Sequence, residues 1–180
     1  MGTGIIVTGL PASRKSTIAR ALALALDLPV LDKDDFLEEL YERDGVRTWD
    51  DRKKLSRQSD VLFQRAGQNH HSAVLVSHWR PTNESGESGT PTAWLQDAYA
   101  KLVEVACLCS AEIAHTRFTS RRRHPGHMDQ SRDPAELLLR LKEWESCYPL
   151  GVGHPIAVRT DEETDMCLLA AQVQPFLTSH

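Results

Sequence analysis

Short apolar runs alternate along this chain with longer stretches whose apolar positions recur at helical spacing. The first run, about Gly4 to Thr8, is rich in β-branched residues and predicts a strand. Lys15 to Asp27, dominated by Ala and Leu, predicts a helix. A short strand, Pro29-Val30-Leu31, runs into the acidic turn Asp32-Lys33-Asp34-Asp35. Helical stretches follow at about Asp34 to Arg43 and Trp49 to Asn69, broken at Asp44-Gly45. Ala73 to Ser77 is apolar without alternation, the pattern of a strand covered on both faces. A loop from Arg80 to Thr92 holds two prolines and two glycines, and its length points to a functional segment. Beyond it the pattern predicts a short helix at Trp94 to Ala100, a strand at Leu102 to Cys109 and a helix at Ala111 to Arg122. Asp133 then caps a helix that has Pro134 in its first turn and runs to about Ser146. A strand at Pro155 to Arg159 and a helix at Glu163 to Phe176 close the chain. This order implies an α/β fold, a doubly wound parallel five-stranded sheet with right-handed crossovers, in a single domain over residues 1–180. Ligands of such sheets bind beyond the carboxyl ends of the strands, where the loops after the first three strands meet.

Composition narrows the class. The chain has 180 residues and a formal net charge of −4, so no overall field favours a polyanion. Binding to nucleic acid is therefore disfavoured, the run Arg121-Arg122-Arg123 excepted. No apolar stretch reaches the roughly 20 residues that span a bilayer, and Met1-Gly2-Thr3 leads straight into the first strand, so no membrane role and a cytoplasmic location are expected. The four cysteines form no C-x-x-C pair, and Cys107 and Cys109 read as buried thiols on one strand.

The chemistry begins after the first strand. Gly9-Leu10-Pro11-Ala12-Ser13-Arg14-Lys15-Ser16-Thr17 matches the phosphate-binding pattern G-x-x-x-x-G-K-[ST], except that Arg14 stands at the second glycine. Backbone N–H groups at a helix N-terminus form an anion cradle. Gly9, Pro11, Ala12, Ser13, Arg14, Lys15, Ser16 and Thr17 are thus the expected nucleotide contacts. Lys15 would reach the β- and γ-phosphates, and the Ser16 hydroxyl would hold Mg²⁺. A side chain at position 14 is strained if φ is positive there. Its guanidinium either adds a phosphate contact or weakens nucleotide binding.

Three further clusters bear on phosphoryl transfer. Asp32 and Asp34 share one side of the turn after the second strand and could orient a hydroxyl and accept its proton, with Asp35 expected as the cap of the next helix. Arg117, Arg121 and Arg123 approach helical spacing before Pro125-Gly126 breaks the helix. They could close over a triphosphate as a lid around residues 117–133, with Arg117 on the nucleotide and Arg121 or Arg123 on the transferring charge. At the end of the third strand, Ser77 or His78 occupies the position where many such loops are served by an aspartate. Trp79 and Arg80 read equally as an aromatic wall and an anion clamp for the acceptor or as a packed Trp with a surface Arg.

With these residues together, the chain resembles small P-loop kinases of the zeta-toxin, chloramphenicol-phosphotransferase and polynucleotide-kinase type. Gly9 to Thr17 is similar to their phosphate loop, commonly G-L-P-G-S-G-K-S-T, and Lys33-Asp34-Asp35-Phe36 to the segment after their second strand. The resemblance implies a P-loop NTPase fold of the nucleoside-monophosphate-kinase kind, with ATP and Mg²⁺ as cofactors. It assigns Asp34 as base and Asp32 as the second carboxylate. Arg117 to His127, with its R-H-P-G-H, is similar to the lid of bacterial AAA-type ATP-binding kinase-like proteins. Leu37 stands where polynucleotide kinases carry an arginine for the 5′ end, so a small-molecule hydroxyl is the expected acceptor. A polynucleotide 5′-kinase and a nucleotide-binding regulatory module without transfer are the alternatives. Oligomeric state is not legible.

Overall fold

The computed structural model describes residues 2–81 and 89–178, so the tip of the expected loop between Arg80 and Thr92 lies outside the described residues. Five strands, β1 (Thr3–Gly9), β2 (Val30–Asp32), β3 (Ala73–Val76), β4 (Lys101–Leu108) and β5 (His154–Arg159), form one sheet in the order β2-β3-β1-β4-β5. Every pairing is parallel, with Ile5 opposite Val74 on one side and Val103 on the other. The expected α/β doubly wound sheet is what the chain forms.

Among the described residues seven α-helices cover it: α1 (Lys15–Leu26), α2 (Lys33–Asp44), α3 (Trp49–Gln68), α4 (Leu95–Ala98), α5 (Ala111–Ser120), α6 (Pro134–Glu145) and α7 (Met166–Thr178). One face of the sheet packs Ile5, Val7, Val103 and Val105 against Ile18, Leu22, Leu169 and Val173 of α1 and α7. The other packs Ile6 and Leu75 against Phe63 of α3, Trp94 and Tyr99. Burial of each such aliphatic or aromatic side chain stabilises the fold by about 1.5–3 kcal/mol. Leu10, Phe118, Leu137 and Leu141 join the phosphate loop to α5 and α6, while Leu37, Leu40, Tyr41 and Leu55 join α2 to α3.

The structure corrects two expectations of local structure and decides a third reading that the sequence left open. Asp32, not Asp35, caps α2: its carboxylate accepts from the Asp34 N–H at 3.1 Å, and Asp35 sits exposed in the first turn with Arg20 at 3.1 Å. Trp79 is no acceptor wall. Its ring is fully buried against Phe63 and its indole N–H donates to the Val7 carbonyl at 3.0 Å, so it is core. Helix α5 ends at Ser120 rather than Arg122, because Arg121 is extended at φ −74°, ψ 152°. In extended backbone alternate residues share a face, which brings Arg121 and Arg123 to one side. Asp133 caps α6 as expected, accepting from the Glu136 N–H at 2.8 Å. Cys107 and Cys109 are buried free thiols.

Glu104, central on β4, is fully buried and lies beside the loop before β5. Its carboxylate accepts from Thr8 Oγ1 at 2.7 Å and from the N–H groups of Leu150, Gly151 and Val152 at 2.6, 2.8 and 3.2 Å. Four donors on one carboxyl group replace the hydration it loses on burial.

Candidate active site

The loop after β1 has the backbone form of an anion cradle. Gly9 has φ 137°, and a Cβ there would strike the Cys107 carbonyl and Ser13 Oγ, so only glycine fits. Ala12 and Arg14 are both left-handed, at φ 64° and 65°. The sequence flagged Arg14 alone; position 12 is a second place where an L-residue holds a glycine conformation, at about 1–2 kcal/mol for each residue. The left-handed residue followed by the first turn of α1 aims successive N–H groups at one point. Ser13 Oγ is buried without a hydrogen-bond partner. The Arg14 side chain is exposed.

Lys15 curls back over the loop, donating to the carbonyls of Gly9 at 3.0 Å and Leu10 at 2.8 Å. Burial pulls its ammonium down to about 8, with Cys107, Asp34 and Asp32 opposing that shift. Burial raises the affinity of Asp32 for its proton, and the neighbouring Ser16 hydroxyl opposes that shift. Asp32 is 4% exposed and has Arg20 at 3.7 Å. Ser16 and Asp32 make an all-oxygen pair beside the cradle, the chemistry suited to a hard cation such as Mg²⁺. Thr17 is exposed on the first turn of α1.

Asp34 lies one residue into α2. Burial opposes its ionisation, but the guanidinium of Arg123, with His127, Lys15 and Arg121, overrides this and holds the carboxyl below its usual range. Arg123 forms a direct ion pair with Asp34. Arg121 and Arg123 both donate to Asp129 Oδ2, at 3.1 and 3.5 Å, and Arg121 stacks on Phe118 at 4.1 Å. The sequence reading missed Asp129, which gives no motif signal and acts only through this pairing. Arg117 is placed apart, donating to the Thr160 carbonyl at 2.6 Å beside the end of β5.

The segment 121–133 is seated on α2 and α3 by its histidines. His127, 1% exposed, pairs with Glu38 at 2.8 Å, and His124 pairs with Glu42 at 2.7 Å. Tyr41 stacks on His124 and meets His127 edge-on. A Cβ at Gly126 would stand 2.5 Å from the Tyr41 ring, so glycine is what lets the turn dock. Arg52 Nε donates to the His127 carbonyl at 3.0 Å.

At the end of β3, Ser77 is committed to Thr90 Oγ1 at 2.6 Å, which in turn donates to Asp60 at 2.7 Å; Asp60 also holds the buried Lys33 at 2.7 Å. His78, the next residue, packs its ring on Trp144 at 5.0 Å. Burial, then Lys15 and Lys33, pull its imidazole down to about 3, so it is neutral at physiological pH. Arg80, the candidate clamp, donates to the Gly89 carbonyl at 3.2 Å. Among the described residues no group of His, Cys, Asp and Glu forms a separate metal cluster, and no helix is long and apolar enough to cross a membrane.

No protein-family model matches the chain, and no curated protein matches its sequence. Solved structures do. A protein provisionally designated a kinase from Chloroflexus aurantiacus J-10-fl is similar at 26% identity and TM-score 0.80, over 98% of this chain and 99% of its own. Shikimate kinase from Acinetobacter baumannii, in complex with shikimate, is similar at 18% identity and TM-score 0.61, over 95% and 90%. A gluconokinase from Sinorhizobium meliloti 1021 is similar at 18% identity and TM-score 0.55, over 98% and 91%. The chain therefore has the small P-loop kinase fold, with its phosphate loop, its paired aspartates and its arginine segment gathered at the carboxyl end of the sheet.

Proposed function

We propose that this chain is an ATP- and Mg²⁺-dependent kinase that moves the γ-phosphoryl group to a hydroxyl of a small molecule. The observation that carries this reading is Asp34, a carboxylate held ionised beside Lys15 and beneath Arg121 and Arg123. That is the charge arrangement an in-line transfer to an alcohol requires: an acceptor for the hydroxyl proton next to cations for the phosphates. The likeness to proteins designated shikimate kinase, gluconokinase and kinase supports it.

In this reading the N–H groups of residues 12–16 and the Lys15 ammonium bind the phosphates, with Lys15 exchanging its loop carbonyls for phosphate oxygens. Ser16 and Asp32 would hold Mg²⁺, which when bound would supply positive charge against the phosphates. The acceptor hydroxyl gives its proton to Asp34 as its oxygen bonds to phosphorus, while the bond from phosphorus to the ADP oxygen breaks. Arg121 and Arg123 carry the charge spread over the transferring group. Arg123 must leave Asp34 for the acceptor to reach it, which makes residues 117–133 a lid that reorganises on binding. Arg117 serves the nucleotide. Leu37, 3% exposed in the α2–α3 core, leaves no room there for an arginine that reads a nucleic-acid 5′ end, which supports a small acceptor.

The test is calorimetry with ATP and Mg²⁺, followed by transfer from γ-labelled ATP to a panel of hydroxyl compounds. Asp34→Ala is expected to abolish transfer while nucleotide affinity stays within about threefold. Undiminished transfer in that variant removes Asp34 from the role. Absence of nucleotide binding by the wild type retires the kinase reading altogether.

A further inference from the structure

The turn that carries Asp32 and Asp34 holds a buried cation between them. Lys33 is the first residue of α2 and is 8% exposed, and its ammonium meets Asp60 of α3 at 2.7 Å and Ser56 Oγ at 3.2 Å. Neither the helix nor the core calls for a lysine at this position. A cation at a helix N-terminus faces the positive end of the helix dipole. A largely buried ion pair is often no more stabilising than well-packed apolar residues of the same volume. Stability therefore gives no reason for the pair.

What the pair does give is direction. Three successive side chains leave the turn three ways: Asp32 folds back to accept from the Asp34 N–H, Asp34 pairs with Arg123 of the lid, and Lys33 reaches α3. Asp60 is itself held. It accepts from Thr90 Oγ1 at 2.7 Å, Thr90 Oγ1 meets Ser77 Oγ at 2.6 Å, and the Thr90 N–H donates to the His78 carbonyl at 2.8 Å. Ser77 and Thr90 are both buried. The contacts thus run without a break from the turn after β2 to the residue that follows β3. Strand β3 lies between β2 and β1, and β1 leads into the phosphate loop. Apolar packing is non-directional, whereas a charge-assisted hydrogen bond fixes both distance and orientation. That difference matters where a group must meet a reacting atom, because a misplacement of about 1 Å can cost about a hundredfold in rate.

We infer that Lys33 and Asp60 are positioning residues for phosphoryl transfer: their ion pair ties the turn bearing Asp32 and Asp34 to the end of β3, and so fixes the distance from the Asp34 carboxylate to the phosphate loop. The step being positioned rests on the kinase reading; the tie itself does not. Neither residue touches a reacting atom, and both act through Asp34.

The experiment removes both charges together, as Lys33→Met with Asp60→Leu, so that no buried charge is left alone. Thermal midpoint, affinity for ATP with Mg²⁺ by calorimetry, and kcat and KM for a hydroxyl compound that the wild type phosphorylates are then compared. The double variant is expected to keep or exceed the wild-type midpoint and to hold ATP affinity and acceptor KM within about threefold, while kcat falls by about tenfold or more. Each single variant, with one charge stranded, should melt lower than the double. Asp60→Asn keeps an acceptor for Thr90 and gives up the charge; it should lose an intermediate share of kcat, and it decides the matter if the double variant does not fold. The inference is overturned if the double variant, or Asp60→Asn in its place, transfers within about twofold of the wild-type rate. It is equally overturned if the midpoint of the double variant falls as far as those of the single variants, or if ATP affinity falls in step with kcat, since the pair is then structural. A wild type that binds no ATP, or phosphorylates no hydroxyl compound, counts against the kinase reading alone. Amide exchange then decides the tie: exchange at the Asp34 N–H should quicken in the double variant with β3 unchanged, and unaltered exchange at Asp34 overturns it.

Discussion

Arg14→Gly isolates what an L-residue at φ 65° does to the phosphate loop. The left-handed conformation costs about 1–2 kcal/mol for a residue with a Cβ. Glycine removes that cost but gives the unfolded chain more freedom, returning about 0.4–1 kcal/mol. Arg14 is exposed and makes no side-chain cap to α1, so no other contact offsets the difference. The variant should therefore be more stable by about 0.5–1 kcal/mol. In urea, with a slope of about 2 kcal/mol per molar, the midpoint rises by about 0.3–0.5 M. The cradle uses backbone N–H groups that the substitution leaves in place, so affinity for ATP with Mg²⁺, read by calorimetry, should stay equal or improve. Two results refute the reasoning. A lower midpoint would mean that position 14 is not strained. A loss of affinity beyond about tenfold would mean that the guanidinium itself holds phosphate, at the strength of a charged hydrogen bond. Ala12→Gly should act in the same direction. The double variant should fall short of the sum, because the two positions share one loop.

Four other outcomes follow from named contacts. Glu104→Gln replaces one accepting oxygen by an amide N–H₂, which then opposes one or two of the three backbone donors in a buried site, and should cost about 3 kcal/mol, or roughly 6–12 °C of thermal midpoint, with nucleotide affinity kept; a shift under about 2 °C would show the loop before β5 to be held by other means. Because Asp34 titrates below its ordinary value, its ion pair with Arg123 adds stability above that value and loses it as the pH falls through the lowered one. The gap in thermal midpoint between wild type and Arg123→Gln should accordingly be present at pH 7 and close below the usual aspartate value of 3.8; a gap that widens in acid contradicts the pairing. Gly126→Ala places a methyl against Tyr41 and should speed amide exchange over residues 121–133 without changing exchange in β1. Asp129→Asn should leave nucleotide binding within about threefold yet reduce phosphoryl transfer by about tenfold or more, since it misaligns Arg121 and Arg123 rather than removing them; equal losses in affinity and rate would make it a binding residue.

The strands were legible because continuous burial writes itself as continuous hydrophobicity: Ile5 to Val7, Ala73 to Val76 and Val105 to Cys107 are buried as their runs predict. The phosphate loop was legible because its backbone demands leave a fixed spacing of Gly9, Lys15 and Ser16. Trp79 stayed open between two readings because an aromatic next to charged residues reads the same whether its ring faces a ligand or, as here, Phe63. Asp32 and Asp35 were exchanged as cap because a three-carboxylate run offers each member the same local chemistry. Only the turn of the chain decides which oxygen meets the Asp34 N–H.

The lid shows where a single chain's pattern gives out. Its arginines were visible, but their partners lie at separations that no periodicity links: Arg123 to Asp34 across 89 residues, His127 to Glu38 across 89, Arg52 to the His127 carbonyl across 75. Each contact exists because the strand order β2-β3-β1-β4 brings the turn after β2 under the segment after β4. Charge in the sequence therefore identified what could bind phosphate, and topology decided which partner each cation meets. Arg52 carried no signal of its own in α3, where one arginine among other basic residues reads as a solvated face. Only the fold places it and Arg132 on one indole, with Asp129 already committed to its neighbours.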